Sequence, residues 1–191
     1  TVIALIVFFW KDLILIFKQK DWALIKNLFI AFVTTSIFGF VFKKIVENVF
    51  IYSSSLIPVA IGFIFTAIIL FLTIKSRNTR KINTLTIFEA IKIGFAQAIA
   101  IAPGISRSGL TYFTTLKSGI EAKDAFKFSF LLSIPTILAA TAVEVLGEYG
   151  KLTVGMNWSA ISLGLIISFI FGSLGLLVFK KMSEKSKMWV F

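Results

Sequence analysis

Residues 101–111, IAPGISRSGLT, interrupt a chain that is otherwise strongly apolar. The interruption contains a Pro-Gly pair and then places Arg107 between Ser106 and Ser108. A charged side chain inside a membrane segment is costly, and where one occurs it usually has a function. A guanidinium binds phosphate through paired hydrogen bonds, and hydroxyl groups beside it supply further donors. We therefore predict an anion-binding site in this segment.

The neighbouring residues have types that suit such a site. Ser106 is placed to cap a helix that starts after the Pro-Gly pair, because the first N–H groups of a helix have no partners within it. The positive end of that helix would favour an anion. Ser108 and Thr111 are three residues apart and so share a helix face. Gly104 and Gly109 are predicted to leave room for a ligand to approach the backbone.

A structural interpretation of the same residues stays open. Hydroxyl groups in membrane helices often bond only to backbone carbonyls. Arg107 could pair with Glu89 or Glu144, or extend its guanidinium to the membrane surface. Gln97 is interpreted either as a packing residue or as a polar neighbour of the site.

The composition is that of a membrane protein. Of the 191 residues, 58% are hydrophobic and 15% are charged, whereas about 25% are charged in soluble domains. The net charge of +11 does not indicate nucleic-acid binding, because the basic residues are spread between apolar runs. Cysteine and histidine are absent, which excludes disulfides, zinc sites built on those ligands and a Ser–His pair within this sequence.

The apolar pattern predicts an all-α, polytopic membrane protein. Residues 1–10 are predicted to end an earlier span, residues 11–20 to lie along the membrane interface, and residues 43–55 to form a connection with a short interfacial helix. A membrane-spanning helix needs about 20 apolar residues. Four segments meet this condition, namely 22–42, 56–74, 126–147 and 158–180.

Residues 87–118 are too short to form two spans. The first arm, residues 87–102, would cover roughly 24 Å at 1.5 Å per residue, against about 30 Å for the hydrocarbon core. We predict a re-entrant hairpin, whose two half-helices enter and leave on the same side. This arrangement puts 15 Lys and Arg residues on one side of the membrane and three on the other, and the positive-inside rule makes the richer side cytoplasmic.

Two stretches, IGFAQAIAIAPGISRSGLT and FKFSFLLSIPTILAATAVEVL, resemble the undecaprenyl pyrophosphate phosphatase family of the bacitracin-resistance type. The family's PGxSRSGxT signature is complete at residues 103–111, and the resemblance rests chiefly on residues 91–147. It implies a multi-pass enzyme of the bacterial inner (plasma) membrane. Such an enzyme removes one phosphate from undecaprenyl pyrophosphate and returns the lipid carrier to cell-wall synthesis.

The resemblance also implies a role for each candidate residue. Arg107 would hold the diphosphate and stabilise the charge on the transferred phosphoryl group, and the hydroxyl groups would donate hydrogen bonds to its oxygens. The candidate catalytic residues are thus Arg107, Ser106, Ser108 and Thr111. The candidate substrate-binding residues are Gly104, Gly109 and Gln97.

The implied architecture is a single transmembrane domain, residues 1–191, with two inverted repeats that each contain a hairpin followed by three spans. Residues 1–86 would belong to the first repeat and residues 87–191 to the second. The family's glutamate pair and histidine lie in a first hairpin that we expect to precede Thr1, and a last span is expected to follow Phe191. A divalent cation, Mg²⁺ or Ca²⁺, is expected with its ligands outside this sequence. We therefore expect the 191 residues alone to be inactive.

A second class of function stays open. A charged hairpin between inverted repeats also suits a membrane transporter or a flippase for polyprenyl lipids. A purely structural subunit would leave Arg107 without a purpose. The expected partners are a polyprenyl pyrophosphate substrate and membrane lipids, with no nucleic acid, and a homodimer is left open.

Overall fold

The computed structural model describes residues 1–48, 56–73, 78–147 and 158–184. Within these ranges the chain forms eight α-helices, one short 3-10 helix at Ile82–Thr84, and no β-strand. The all-α class predicted from the sequence is confirmed. The α-helices are α1 (Val2–Phe8), α2 (Trp10–Lys18), α3 (Trp22–Val46), α4 (Ile57–Phe71), α5 (Ile87–Ile99), α6 (Arg107–Lys117), α7 (Ala122–Gly147) and α8 (Trp158–Glu184).

Three of these helices are long and apolar enough to cross a membrane. They are α3, α7 and α8, with 25, 26 and 27 residues, and they contain the spans predicted over 22–42, 126–147 and 158–180. Most of the large apolar side chains of α8 are exposed on the protein surface, as expected for a helix in contact with lipid. The chain is a membrane protein with several spanning helices.

Helix α4 is shorter than the span predicted over residues 56–74. It has 15 residues, which corresponds to about 22 Å. The helix starts with Pro58 in its first turn, a position where the missing N–H is not needed. It ends at Phe71 because Thr73 folds back onto the carbonyl of Leu70, with its N–H at 3.1 Å and its hydroxyl at 2.6 Å.

The segment before α3 forms two short helices. Helices α1 and α2 are divided at Phe9 and cover the predicted end of a span and the predicted interfacial helix. An ion pair of 2.8 Å between Asp12 and Lys127 ties α2 to α7. Asp21 then caps α3 by accepting a hydrogen bond from the N–H of Leu24. Of the connection predicted over residues 43–55, the described part continues α3, and residues 49–55 lie outside the described residues.

Phenylalanine rings pack α1, α7 and α8 together. The ring centroids of Phe126 and Phe130 in α7 are 4.7 Å apart, and Phe179 of α8 lies 5.1 Å from Phe130. Phe9, at the end of α1, lies 5.6 Å from Phe126. Close offset and edge contacts of this kind are favourable beyond the apolar area that they bury. The cluster fixes α7, whose middle borders the candidate site.

Helices α5 and α6 form the predicted hairpin. The segment before α5 contacts the segment after α6, since the N–H of Glu121 donates to the carbonyl of Arg80 at 2.9 Å. The N–H of Ile82 likewise donates to the carboxylate of Asp124 at 2.9 Å. Both ends of the hairpin therefore lie together, at what we call the hairpin base, as the re-entrant prediction requires.

Arg80 joins the two arms at the hairpin base. Its guanidinium pairs with the Glu89 carboxylate at 2.9 Å in α5 and donates to the Ser118 carbonyl at 2.6 Å after α6. Glu89 also completes a capping box with Thr86 at the start of α5. Burial raises the pKa of the Glu89 carboxyl, but hydrogen bonds from Arg80 and Thr86 outweigh burial and hold the pKa below its usual value.

Helix α5 runs alongside α3 in the same direction. A Cβ on Gly94 would lie 2.4 Å from the carbonyl oxygen of Ala31, so glycine allows the two backbones to approach. Further along, the Ile101 side chain packs at Gly39. Helix α3 is roughly 37 Å long and α5 roughly 20 Å. The hairpin therefore turns back inside the bundle, before α3 ends.

Candidate active site

The hairpin tip, residues 100–106, connects α5 to α6. Gly104 has a φ of +89°, a left-handed conformation that favours glycine. Ser106 caps α6 as predicted, because its hydroxyl oxygen accepts a hydrogen bond from the N–H of Gly109 at 3.1 Å. Arg107 is the first residue of α6. The cap therefore fixes the turn of backbone that carries Arg107.

Gly104 and Gly109 have a packing role besides their predicted role in substrate binding, which stays a prediction. A Cβ on Gly104 would lie 2.3 Å from the carbonyl oxygen of Val59 in α4. A Cβ on Gly109 would lie 3.0 Å from the Ser106 hydroxyl oxygen. Protein atoms occupy the Cβ direction at both positions, so these glycines let the tip pack on α4 and let the cap form.

Arg107 is half-buried and has no protein partner in the described ranges. Neither a hydrogen bond nor an ion pair reaches its guanidinium from those residues. Of its two suggested partners, Glu89 is held by Arg80 at the hairpin base. Glu144 lines the same cavity as Arg107 without forming an ion pair with it. The structural interpretation of Arg107 as an internal ion pair therefore has no support in this part of the chain.

The cavity shared with Glu144 lies between the hairpin tip, α3 and α7 and measures about 400 Å³. We call it the first cavity. Gln97 and Arg107 line it at the hairpin, and Lys43 and Glu144 line it near the ends of α3 and α7. Because both helices run away from the hairpin base, the first cavity extends from the tip toward the opposite end of the bundle.

Gln97 is the most deeply buried polar group in the first cavity. Its side chain is 1% exposed, and neither atom of its amide has a hydrogen-bond partner among the described residues. A buried polar group without a partner costs about 1–3 kcal/mol. The structure places Gln97 in the same cavity wall as Arg107, with both atoms of its amide buried. Its predicted role in substrate binding stays a prediction.

A second cavity of about 500 Å³ lies on the other side of Arg107, between α1, α7 and α8. Ser108 and Ser133 contribute hydroxyl groups to its wall, which is otherwise largely apolar. Arg107 lines both cavities. The structure therefore brings Arg107 together with Gln97 on one side and with Ser108 on the other.

The Thr111 hydroxyl, which the sequence predicts to donate to a phosphate oxygen, instead bonds to the backbone. Thr111 is fully buried, and its hydroxyl donates to the carbonyl of Arg107 at 2.9 Å. Threonine in a helix often bonds to a preceding carbonyl in this way, so Thr111 supports the first turn of α6. Ser106 lines neither cavity. Its hydroxyl oxygen accepts the capping hydrogen bond, so the hydroxyl can still donate one of its own.

The polar residues that α3 and α7 contribute do not stand out in the sequence. Thr35 and Ser36 of α3 and Thr136 of α7 line the first cavity. Each donates its hydroxyl to a carbonyl in its own helix, at 2.8 to 3.0 Å. Isolated hydroxyls in apolar spans usually do no more than this, so only the fold shows that they border a cavity.

The described residues do not fit a metal site. Within the part of the chain that the structure describes, no three Asp, Glu, His or Cys side chains lie close enough to hold an ion. Glu144 is the one carboxylate that those residues contribute to the two cavities. No chemical step through a metal follows from these side chains.

The geometry agrees with the similarity of the chain to known proteins. The model of the family described as bacitracin resistance protein BacA matches residues 1–191. The chain belongs to this family. The match confirms the resemblance that rests chiefly on residues 91–147 and extends it to the whole chain.

Three relatives of the chain have the same name. A protein of Thermosipho africanus named undecaprenyl-diphosphatase is 35% identical, over 100% of this chain and 75% of its own length. Proteins of the same name from Caldicellulosiruptor bescii and Carboxydothermus hydrogenoformans are 34% and 41% identical. These two alignments cover 90% and 76% of this chain and 70% and 55% of the respective relatives.

Proposed function

We propose that this BacA-family protein hydrolyses undecaprenyl diphosphate to undecaprenyl phosphate and inorganic phosphate. The observation that carries the proposal is the guanidinium of Arg107, which has no partner among the described residues, stands at the start of α6 and lines two cavities inside a membrane bundle. The name shared by its relatives, undecaprenyl-diphosphatase, supports this substrate. No feature of the described residues favours a transporter over a hydrolase.

Arg107 would bind the diphosphate and stabilise its transition state. In the net reaction, a water oxygen becomes bonded to the terminal phosphorus, the bond from that phosphorus to the bridging oxygen breaks, and the protons of the water pass to the phosphate products or to solvent, so undecaprenyl phosphate departs. Negative charge shifts to the oxygens around the terminal phosphorus and to the leaving group. A guanidinium with no internal ion pair is free to form two parallel hydrogen bonds to these oxygens.

The start of α6 would add backbone donors. The first hydrogen bond within α6 runs from the N–H of Leu110 to the carbonyl of Ser106, and the N–H of Gly109 is taken by the cap. The N–H groups of Arg107 and Ser108 precede these and have no helical partner. Together with the positive end of the helix dipole they favour an anion at this point.

Gln97 and Ser108 would complete the polar lining, and the apolar walls would hold the lipid. Gln97 offers its amide from the first cavity and Ser108 its hydroxyl from the second. Phe32 and Phe40 line the first cavity, and Phe130 and Phe179 line the second. Such surfaces suit a polyprenyl chain, whose burial is favoured by the hydrophobic effect.

The proposed location is the bacterial inner membrane. The product would return to cell-wall synthesis as the monophosphate carrier. Dependence on a divalent cation is expected from the family resemblance and stays a prediction, because the described side chains do not form a site for one. Titration with EDTA and readdition of Mg²⁺ or Ca²⁺ checks it directly.

The test is release of phosphate from undecaprenyl diphosphate by the full-length protein in detergent micelles. We expect equal amounts of phosphate and undecaprenyl phosphate, measured by a colorimetric assay and by mass spectrometry of the lipid. An Arg107→Ala protein purified in the same way is the control for contaminating phosphatases. No release by the unaltered protein, or equal release by the two proteins, would overturn the proposal.

A further inference from the structure

Helix α4 has one polar side chain, Thr66, within the apolar sequence IPVAIGFIFTAIILF. Its hydroxyl donates to the carbonyl of Gly104 at 3.0 Å. The same oxygen accepts a hydrogen bond from the N–H of Ser106, also at 3.0 Å. One hydroxyl therefore satisfies two backbone groups of the hairpin tip, on either side of Ile105.

The contact between α4 and the tip is close at neighbouring positions as well. A Cβ on Gly62 would lie 2.6 Å from the carbonyl oxygen of Pro103, and a Cβ on Gly104 would lie 2.3 Å from the carbonyl oxygen of Val59. The tip therefore rests on the backbone of α4, one to two turns of helix before Thr66. Such a surface allows little sliding, so the two hydrogen bonds have a fixed geometry.

One of the two hydrogen bonds of Thr66 is to Ser106, the residue before Arg107. Ser106 is held by Thr66 through its N–H and caps α6 through its side chain. Arg107 follows directly, as the first residue of the helix. A displacement of the Ser106 backbone would therefore move Arg107 and the free N–H groups beside it together.

We propose that Thr66 is a positioning residue for the phosphate site. It lines neither of the two cavities, and its bonds to the hairpin tip are to backbone groups of Gly104 and Ser106. It acts by fixing the hairpin tip, and with it the direction of Arg107 and of the first turn of α6. This inference rests on the proposed function, since it assigns Thr66 to the hydrolysis of undecaprenyl diphosphate.

The test compares three variants of the full-length protein. Thr66→Val has nearly the same shape and loses both hydrogen bonds, and Thr66→Ser keeps the hydroxyl. Thr114→Val is the matched control, because among the described residues the Thr114 hydroxyl on α6 bonds only to the Leu110 carbonyl of the same helix, at 2.8 Å. The readout is kcat for phosphate release per molecule of folded protein, with the folded amount taken from size-exclusion chromatography.

We expect Thr66→Val to lower kcat by roughly ten- to a hundredfold, since a misplacement of about 1 Å at a reacting group can cost a hundredfold in rate. Thr66→Ser and Thr114→Val should keep kcat close to that of the unaltered protein. If Thr66 only stabilised the fold, Thr66→Val would reduce the folded yield while the folded molecules kept their normal kcat, and that result would overturn the proposal. A Thr66→Ser protein as impaired as Thr66→Val would overturn it too.

The Arg107→Ala protein separates this inference from the proposed function. Loss of turnover in Arg107→Ala with normal turnover in Thr66→Val would overturn only the role of Thr66. Normal turnover in Arg107→Ala would overturn the proposed function, and the role of Thr66 in it.

Discussion

At the scale of single residues, the site depends on polar groups that the protein itself leaves without partners. Within the described ranges neither the Arg107 guanidinium nor the Gln97 amide has a hydrogen-bond partner. Both line the first cavity. A fold optimised for stability alone would pair or remove such groups. Their free hydrogen-bonding capacity is what a diphosphate could use.

Gln97→Leu should therefore lower activity without lowering stability. Loss of a hydrogen bond to a charged ligand costs about 1.5–3 kcal/mol, or roughly a ten- to hundredfold fall in kcat/KM. The apolar side chain of similar size removes an unpaired amide from the interior, so the thermal midpoint should stay constant or rise. Phosphate release and thermal unfolding of the same preparations check both parts.

Ser129→Ala is the matched control for Gln97→Leu. Ser129 is also fully buried, its hydroxyl has no partner in the described residues, and it lines neither cavity. Its removal should leave kcat/KM unchanged. A Gln97→Leu protein with normal turnover and a lowered midpoint would show that the amide serves packing instead of substrate binding.

The sequence singles out Arg107 as the first candidate for the site, because its charge stands out in an apolar chain. It does not show the direction of the hydroxyl groups. Thr111 shares a helix face with Ser108, yet its hydroxyl bonds to backbone, while Ser108 lines a cavity. The single threonine in α4 is visible in the sequence, but its two bonds to the hairpin tip depend on contacts about 40 positions away along the chain.

At the scale of secondary-structure elements, the hairpin is held at both ends. Arg80 joins its arms at the base, and α4 packs against its tip. Because the pKa of Glu89 is lowered, the stability of the hairpin base depends on pH. A carboxyl whose pKa is lowered by folding adds stability above its unfolded pKa, and that contribution is lost as the pH falls through the folded value.

Glu89→Gln should thus be less stable than the unaltered protein at pH 7, and the difference should shrink well below pH 4.3, the usual pKa of Glu. We expect the difference to be small, because the Arg80 side of the pair is exposed to solvent. Thermal unfolding at pH 7, 5 and 3 measures it. Glu184→Gln, at an exposed carboxylate without an ion pair in the described chain, should show no such change. If the stability difference between Glu89→Gln and the unaltered protein did not change with pH, this role of Glu89 at the hairpin base would be wrong.

Hydrophobic periodicity and length predict the elements well where a helix is long and uniformly apolar. They predict α3, α7 and α8, and the Pro-Gly pair with two short arms predicts the hairpin. The pattern does not predict where α4 stops, because Thr73 ends it by local hydrogen bonds within an apolar run. It also does not show that Gly94 brings α5 against α3, since that contact is between distant parts of the chain.

At the scale of the whole molecule, the basic segments gather at one end of the bundle. The hairpin base brings residues 78–86 next to residues 117–124, and the ion pair of Asp12 with Lys127 adds the segment around α2. The charge pattern predicts this grouping from the positive-inside rule. It follows that the first cavity extends toward the side with few basic residues.

Single cysteines should report this topology. Thr79→Cys and Lys123→Cys, both exposed at the hairpin base, should be labelled by a membrane-impermeant maleimide from the cytoplasmic side only. Lys44→Cys, exposed near the end of α3, should be labelled from the opposite side. The absence of cysteine from the sequence makes the background clean. Labelling of Thr79→Cys and Lys123→Cys from different sides would contradict the re-entrant hairpin.

The central claim is that the guanidinium of Arg107, held at the hairpin tip and without a partner in the described ranges, acts on the diphosphate. The most direct measurement is kcat for phosphate release by folded Arg107→Lys in the full-length protein. Lysine keeps the charge but loses the planar pair of donors, so we expect kcat to fall by roughly a hundred- to a thousandfold, with unchanged elution in size-exclusion chromatography and unchanged helical content. A folded Arg107→Lys protein that releases phosphate at nearly the unaltered rate would contradict the account.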